Sequence, residues 1–252
     1  RAAGLVPADT NGLAAGASVE DAAIRAFVEL VERDAVALWW YNRVSRPQLD
    51  LADIGSALVR RYAEWTVSRN RPLRLIDLTH DCGIAVIAAI AHDHDGRFIA
   101  LGFGAGASAS DAAHHAVGEL AQCECNIALI ERRGSEAGST PEALALLRWW
   151  REGRIDQSPH LRPAPISPPA QPRGFLNLSA CHDICGRLGL RFLALDMTRP
   201  GCRTPVVRVF APGLRPMWAR FAPGRLFDVP VRLGWLSRPL DPHELNTIPI
   251  MF

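Results

Sequence analysis

Asp21, Arg25, Glu29, Glu32 and Arg33 follow one another at spacings of three, four and eight residues, so on a helix they share or border one face. Carboxylates three residues apart on a helix are hard oxygen ligands suited to Mg2+, which takes one or two protein carboxylates together with substrate phosphates. Arg33 on the same face suits a phosphate, which a guanidinium grips bidentately. The plainer alternative is a solvated stripe with a Glu29–Arg33 pair worth about 0.3–0.5 kcal/mol. All 28 basic residues of this 252-residue chain are arginine. With no lysine, a P-loop, a pyridoxal enzyme and a Schiff-base aldolase are excluded, and a phosphate site must rest on arginine and metal.

The acidic helix has an echo. Gly12-Leu-Ala-Ala-Gly-Ala-Ser18 resembles Gly102-Phe-Gly-Ala-Gly-Ala-Ser108 at an offset of 102 − 12 = 90 residues. The match continues: Asp21, Ala22, Ala23, Ala26, Glu29 and Leu30 recur as Asp111, Ala112, Ala113, Ala116, Glu119 and Leu120. Small residues in register are explained by close packing of backbones. A glutamate in register has no packing reason, and it favours a functional reading of the repeat.

Other reactive side chains carry weaker signals. His80-Asp81-Cys82 could serve a Cys/His catalyst, but such a site is defined by spatial geometry rather than adjacency. Cys123 and Cys125 with Cys181 and Cys185 could supply four thiolates to zinc, yet CxC and CxxxC on helices are unlike the usual CxxC pairs. The pairs Trp39-Trp40 and Trp149-Trp150 read as core or interface anchors.

These residues need elements to position them. Ser18-Val-Glu-Asp21 is a near-capping-box that starts a helix running to Trp39 and Trp40, and a second amphipathic helix covers Asp53 to Ser68. The period then changes: Leu73 to Leu78 and Ile84 to His92 read as strands, with His94-Asp-Gly96 as a hairpin turn into Phe98 to Phe103. Helices follow from Ser110 to Ile130 and Pro141 to Trp150. Six prolines between Pro159 and Pro172 forbid a regular element and read as an exposed linker or surface loop between two lobes. Beyond it lie a helix over Leu178 to Leu188 and strands at Arg191 to Leu195 and Val206 to Phe210, and the last forty residues read as turns. Without a βαβ rhythm, the pattern predicts an α+β fold with helices packed on mostly antiparallel sheets.

Composition bounds the setting. A formal net charge of +2 makes no electrostatic case for nucleic acid. The longest apolar stretch, Gly83 to Ala91, is far short of a membrane span, so no membrane is expected. Six cysteines are too sparse for a disulfide scaffold, which points to a reducing, cytoplasmic setting.

Asn11-Gly-Leu-Ala-Ala-Gly16, Glu29-Leu-Val-Glu32-Arg33-Asp34-Ala35 and Trp39-Trp-Tyr-Asn-Arg43 closely resemble the YcaO proteins, and in particular the cyclodehydratases that build thiazole/oxazole-modified peptides. Gly102-Phe-Gly-Ala-Gly106 with Glu119-Leu-Ala-Gln122, Trp218 to Arg225, and the ending Leu245-Asn-Thr-Ile-Pro-Ile look like the same group. The resemblance implies an ATP site without a P-loop, in which Glu29 and Glu32 are Mg2+ ligands and Arg33, Glu119, Asp21 and His115 meet the nucleotide. His115 departs from the family pattern, which places arginine there, and Arg25 stands where glutamine is common.

The implied activity is closure of Cys, Ser or Thr of a ribosomal precursor peptide onto the preceding carbonyl, driven by phosphorylation of the amide oxygen. The residues assign no general base to that step. Implied partners are the precursor peptide, an E1-like leader-peptide-binding protein and a flavin-dependent dehydrogenase, with a homo-oligomeric assembly. The sequence leaves two alternatives open: a thioamide-forming relative and a non-catalytic peptide-docking scaffold. Arg1 stands in place of an initiating Met, and the family's further glycine- and serine-bearing segment and second ExxER helix are not found here. Residues 1–252 are therefore expected to be the C-terminal portion of a YcaO domain, with part of the nucleotide site.

Overall fold

The computed structural model describes residues 9–132, 140–162, 164–169 and 176–251. In chain order the elements are β1 (Leu13–Ala15), α1 (Val19–Asn42), β2 (Gln48–Leu49), α2 (Ala57–Ser68), β3 (Arg74–Asp77), β4 (Ala85–Ala91), β5 (Ala100–Gly106), α3 (Ala109–Arg132), α4 (Pro141–Glu152), α5 (Leu178–Arg187), β6 (Leu193–Asp196), β7 (Val206–Phe210) and α6 (Arg225–Arg232). Every strand pairs antiparallel, in one sheet of order β2-β3-β4-β5 and another of order β1-β7-β6. The fold is α+β, as the pattern of periods predicts.

The layers follow from which residues the strands present. β4 and β5 are buried along their whole length, so alternate side chains must feed two different cores. Val86, Ala88 and Ile90 with Leu101, Phe103 and Ala105 join Ala26, Phe27, Trp39 and Trp40 of α1. Ala85, Ile87, Ala89, Ala91 and Ala100 join Ala112, Ala116 and Leu120 of α3. The other face of α1 packs on β1 and β7. The central helix is thus held between the two sheets, which is why fifteen of its residues are buried.

α1 and α3 have the same length and, at the 90-residue offset, the same bounds: 19 + 90 = 109 and 42 + 90 = 132. Their starts are alike too. Ser18 Oγ accepts from the Asp21 N–H at 3.0 Å and Ser108 Oγ from the Asp111 N–H at 3.1 Å. A Cβ on Gly16 would lie 2.4 Å from the Ala22 nitrogen, and one on Gly106 would lie 2.7 Å from Asp111 Cβ, so at both places the strand enters its helix too closely for a side chain.

Two short strands lie where the sequence pattern assigns no element, and one helix lies where it reads as turns. β1 and β2, of three and two residues, are too short to show a period. α6 carries Pro230 inside it, which would ordinarily forbid a helix. Pro230 offers no N–H to the Leu226 carbonyl one turn back; Asn42 Nδ2, at 2.9 Å, supplies the donor instead. The Pro-rich segment is docked rather than free where it is described: Ala164 donates to the Arg46 carbonyl, Ser167 donates to the Gln48 carbonyl, and His160 and Leu161 are buried. Pro163 and residues 170–172 of that segment lie outside the described residues.

His160 sits edge-on to Trp39 and Trp40, with ring centroids at 5.4 and 4.8 Å, and Trp40 in turn meets Trp149 at 5.5 Å. The tryptophans are core, as expected. Burial, with Arg43 nearby, pushes the His160 pKa down from its ordinary 6.5 to about 4. The ring is therefore neutral in the folded protein and charged in the unfolded chain between those values. Its contribution to stability is complete above pH 6.5 and is lost as pH falls towards 4, by about 3 kcal/mol. Chemical denaturation across that range should show the loss, and His160→Phe should flatten it.

Candidate functional site: an acidic cleft between two sheet edges

β1 and β5 are edge strands of different sheets, and each runs through a Gly/Ala-rich end into an acidic helix. Edge strands leave a row of backbone amides without strand partners. Here glutamates from the helices take them up. The Phe103 N–H donates to Glu119 Oε2 at 2.9 Å, while the Ala105 and Gly12 amides favour the ionised forms of Glu32 and Glu29, too weakly to offset their burial. One carboxylate is thereby fixed by main chain, and all three line a cleft of about 660 Å3.

The cleft is lined by Asp21, Glu29, Glu32, Arg33, His115 and Glu119, so all six residues singled out in the sequence meet in one place. Arg25 and Asp111 line it as well. Asp21 is set apart from the buried group: it accepts from the Ala17 N–H and from Arg25, and these bonds lower its pKa. Asp111 is the residue that sequence reasoning passed over, although the repeat pairs it with Asp21.

The electrostatics of the inner cleft are strained by crowding. Burial raises the pKa of Glu29, with Arg33 opposing it. Burial pushes Glu32 up to about 8, and the neighbouring Glu119 and Glu29 add to the rise while Arg33 works against it. Glu119 is raised for the same first reason, burial, despite its bond from Phe103. Arg33 lies 3.5 Å from both Glu29 and Glu32, and its Nη1 also donates to Met217 Sδ at 3.2 Å. One guanidinium is thus shared among three clustered acids. The donor set is all oxygen and resists ionisation until another positive charge joins it, which fits a hard divalent cation.

His80, Asp81 and Cys82 do converge, and among the described residues they are the one group of three ligand-type side chains within 4.8 Å of each other. They do not form a Cys/His catalyst. His80 Nε2 lies 3.3 Å from Asp34 and Nδ1 lies 3.3 Å from Asp81, while Arg225 bonds both carboxylates at 2.6 and 2.7 Å and Arg232 bonds Asp81. The place a metal would take is filled by arginine in a buried ion network that ties α1, the β3–β4 turn and α6 together. The four-thiolate zinc set is not brought together either: Cys123 belongs to the core around α3, and Cys181 and Cys185 to the core around α1. No helix of the described residues is long and apolar enough to cross a membrane.

Comparison with known proteins agrees with this geometry. The family described as YcaO cyclodehydratase, ATP- and Mg2+-binding, matches residues 1–215. Among solved structures, a heterocyclase in complex with substrate and cofactor is 34% identical with a TM-score of 0.86, covering 98% of this chain and 34% of that one. The heterocyclase TruD is 33% identical with a TM-score of 0.83, covering 100% of this chain and 36% of its own. An uncharacterised protein of Methanothermobacter thermautotrophicus is 27% identical over 229 residues, or 83% of this chain and 56% of that protein. The chain therefore spans about a third of the two heterocyclases and just over half of the archaeal relative.

Proposed function

The chain belongs to the YcaO family, and from that premise we propose that its acidic cleft binds Mg2+ and ATP and that the full-length protein is an ATP-dependent peptide cyclodehydratase. The observation that carries the reading is the convergence of Glu29, Glu32 and Glu119 on one cleft, with Arg33 paired to the first two and the Phe103 amide holding the third. Acids that raise one another's pKa are gathered here at a partly buried cleft, where a bound cation would relieve the repulsion.

In this reading Glu29 and Glu32 hold the metal, Glu119 completes the acidic wall, and Arg33 contacts a phosphate oxygen. Asp21 and His115, nearer the rim, meet the nucleotide. Mg2+ held there would supply charge neutralisation on phosphoryl oxygens, where the transition state is most negative. The reaction takes a Cys, Ser or Thr of a ribosomal precursor peptide. Its side-chain sulfur or oxygen bonds to the preceding carbonyl carbon, giving up its proton. The former amide oxygen takes the γ-phosphoryl group and leaves as phosphate while the amide nitrogen gives up its proton and forms the C=N bond, giving an azoline and ADP. The partners proposed with it are the precursor peptide, an E1-like leader-binding protein and a flavin-dependent dehydrogenase that oxidises the ring.

The test is to incubate the full-length protein with precursor peptide and Mg-ATP. The expected result is peptide-dependent ADP formation and loss of one water mass per ring. Exchange of oxygen for sulfur, only when sulfide is added, marks a thioamide-forming enzyme instead. No nucleotide consumption with any such peptide marks a scaffold and contradicts the reading.

A further inference from the structure

Arg33 and Asp34 are neighbours on α1 that point about 100° apart: Arg33 faces the cleft, and Asp34, fully buried, faces the ion network. The two sides are joined by the segment 215–217. Asp34 Oδ1 accepts from the Arg215 backbone N–H at 2.7 Å, while Arg225 holds the same carboxylate with Nε at 3.0 Å and Nη2 at 2.6 Å. Two residues on, the Met217 carbonyl accepts from Tyr41 Oη at 2.5 Å and Met217 Sδ accepts from Arg33 Nη1 at 3.2 Å. The segment is therefore fastened to α1 at Asp34 and Tyr41, and it presents a soft, uncharged acceptor to the guanidinium.

We propose that Met217 is a positioning residue for Arg33, and that Asp34 is what keeps Met217 in place. This rests on the nucleotide reading of the cleft. Glu29 and Glu32, each 3.5 Å from the guanidinium, are the groups that turn towards a cation when one binds. A neutral sulfur does not compete for that cation's hard oxygen ligands. It steadies the arginine while leaving its charge available to a phosphate. The buried Asp34–Arg225–Asp81 network supplies the rigidity, because breaking any member strands a buried charge.

The test uses the full-length protein and Mg-ATP binding followed by calorimetry, with thermal unfolding as the check on folding. Met217→Leu keeps the volume and removes the acceptor. It is expected to melt within a few degrees of the parent and to weaken Mg-ATP binding about three- to tenfold. In an Arg33→Ala background the same substitution is expected to have no further effect on binding, which a merely structural role would not produce. Asp34→Asn is expected to weaken binding to a similar degree, with a lower melting temperature. Equal effects of Met217→Leu in both backgrounds, or none in the parent, overturn the assignment while the nucleotide reading stands. Absence of Mg-ATP binding in the parent protein overturns both.

Discussion

Glu32→Gln is expected to make the protein more stable and nearly inactive at once. Glu32 is buried against Glu29 and Glu119, and its pKa rises to about 8 against an ordinary 4.5. A carboxyl whose folded pKa is raised favours folding fully below the unfolded value and loses that advantage as pH climbs through the folded one. At pH 7 the unfolded chain ionises freely while the folded protein keeps its proton, at a cost of about 3 kcal/mol. Glutamine keeps the shape and cannot ionise, so unfolding at pH 7 without Mg2+ should show a gain of about 1–3 kcal/mol. The same change removes a proposed metal ligand, and peptide-dependent ATP consumption should fall on the order of 100-fold or more. A purely structural glutamate would give the reverse: lost stability with activity following only the amount folded.

Gly104→Ala and Gly102→Ala should be the most damaging single changes to the fold. A Cβ on Gly104 would lie 2.3 Å from the Ala112 oxygen and 2.4 Å from the Ala116 nitrogen; one on Gly102 would lie 2.2 Å from the Leu120 nitrogen. These are backbone atoms of α3, which have no rotamer to give way. The strand and helix must separate, opening the core and drawing Glu119 away from the Phe103 amide. A loss of about 3 kcal/mol or more is expected by denaturant unfolding. Gly118→Ala is the control. It lies in the same helix with nothing within 4 Å, and should be neutral or stabilising by up to about 1 kcal/mol.

The sequence was most legible where local chemistry decides the outcome. Ser18 announces a helix start, and the continuous apolar runs of β4 and β5 need no distant partner to be recognised. The acids at 29 and 32 stood out through spacing, and Glu119 through the repeat, because duplicated geometry leaves duplicated residues. What failed was long-range. α6 reads as a turn because the donor that replaces the missing Pro230 amide is Asn42, far away in the chain. Asp34 and Asp81 look like a motif residue and part of a catalytic pair. Their meaning lies in Arg225, 191 and 144 residues away, which no local pattern encodes. The backbone amide of Phe103 that fixes Glu119 was equally hidden, since only the sheet order shows that β5 is an edge.

The central claim is that the crowded acids exist to receive a cation with a nucleotide. Its most direct test is calorimetric titration of ATP into the full-length protein with and without Mg2+, repeated on a Glu29→Gln/Glu32→Gln/Glu119→Gln variant. Saturable ATP binding that requires Mg2+ and disappears in the folded triple variant is the predicted result. Binding of equal strength without Mg2+, or untouched by the three substitutions, would contradict it.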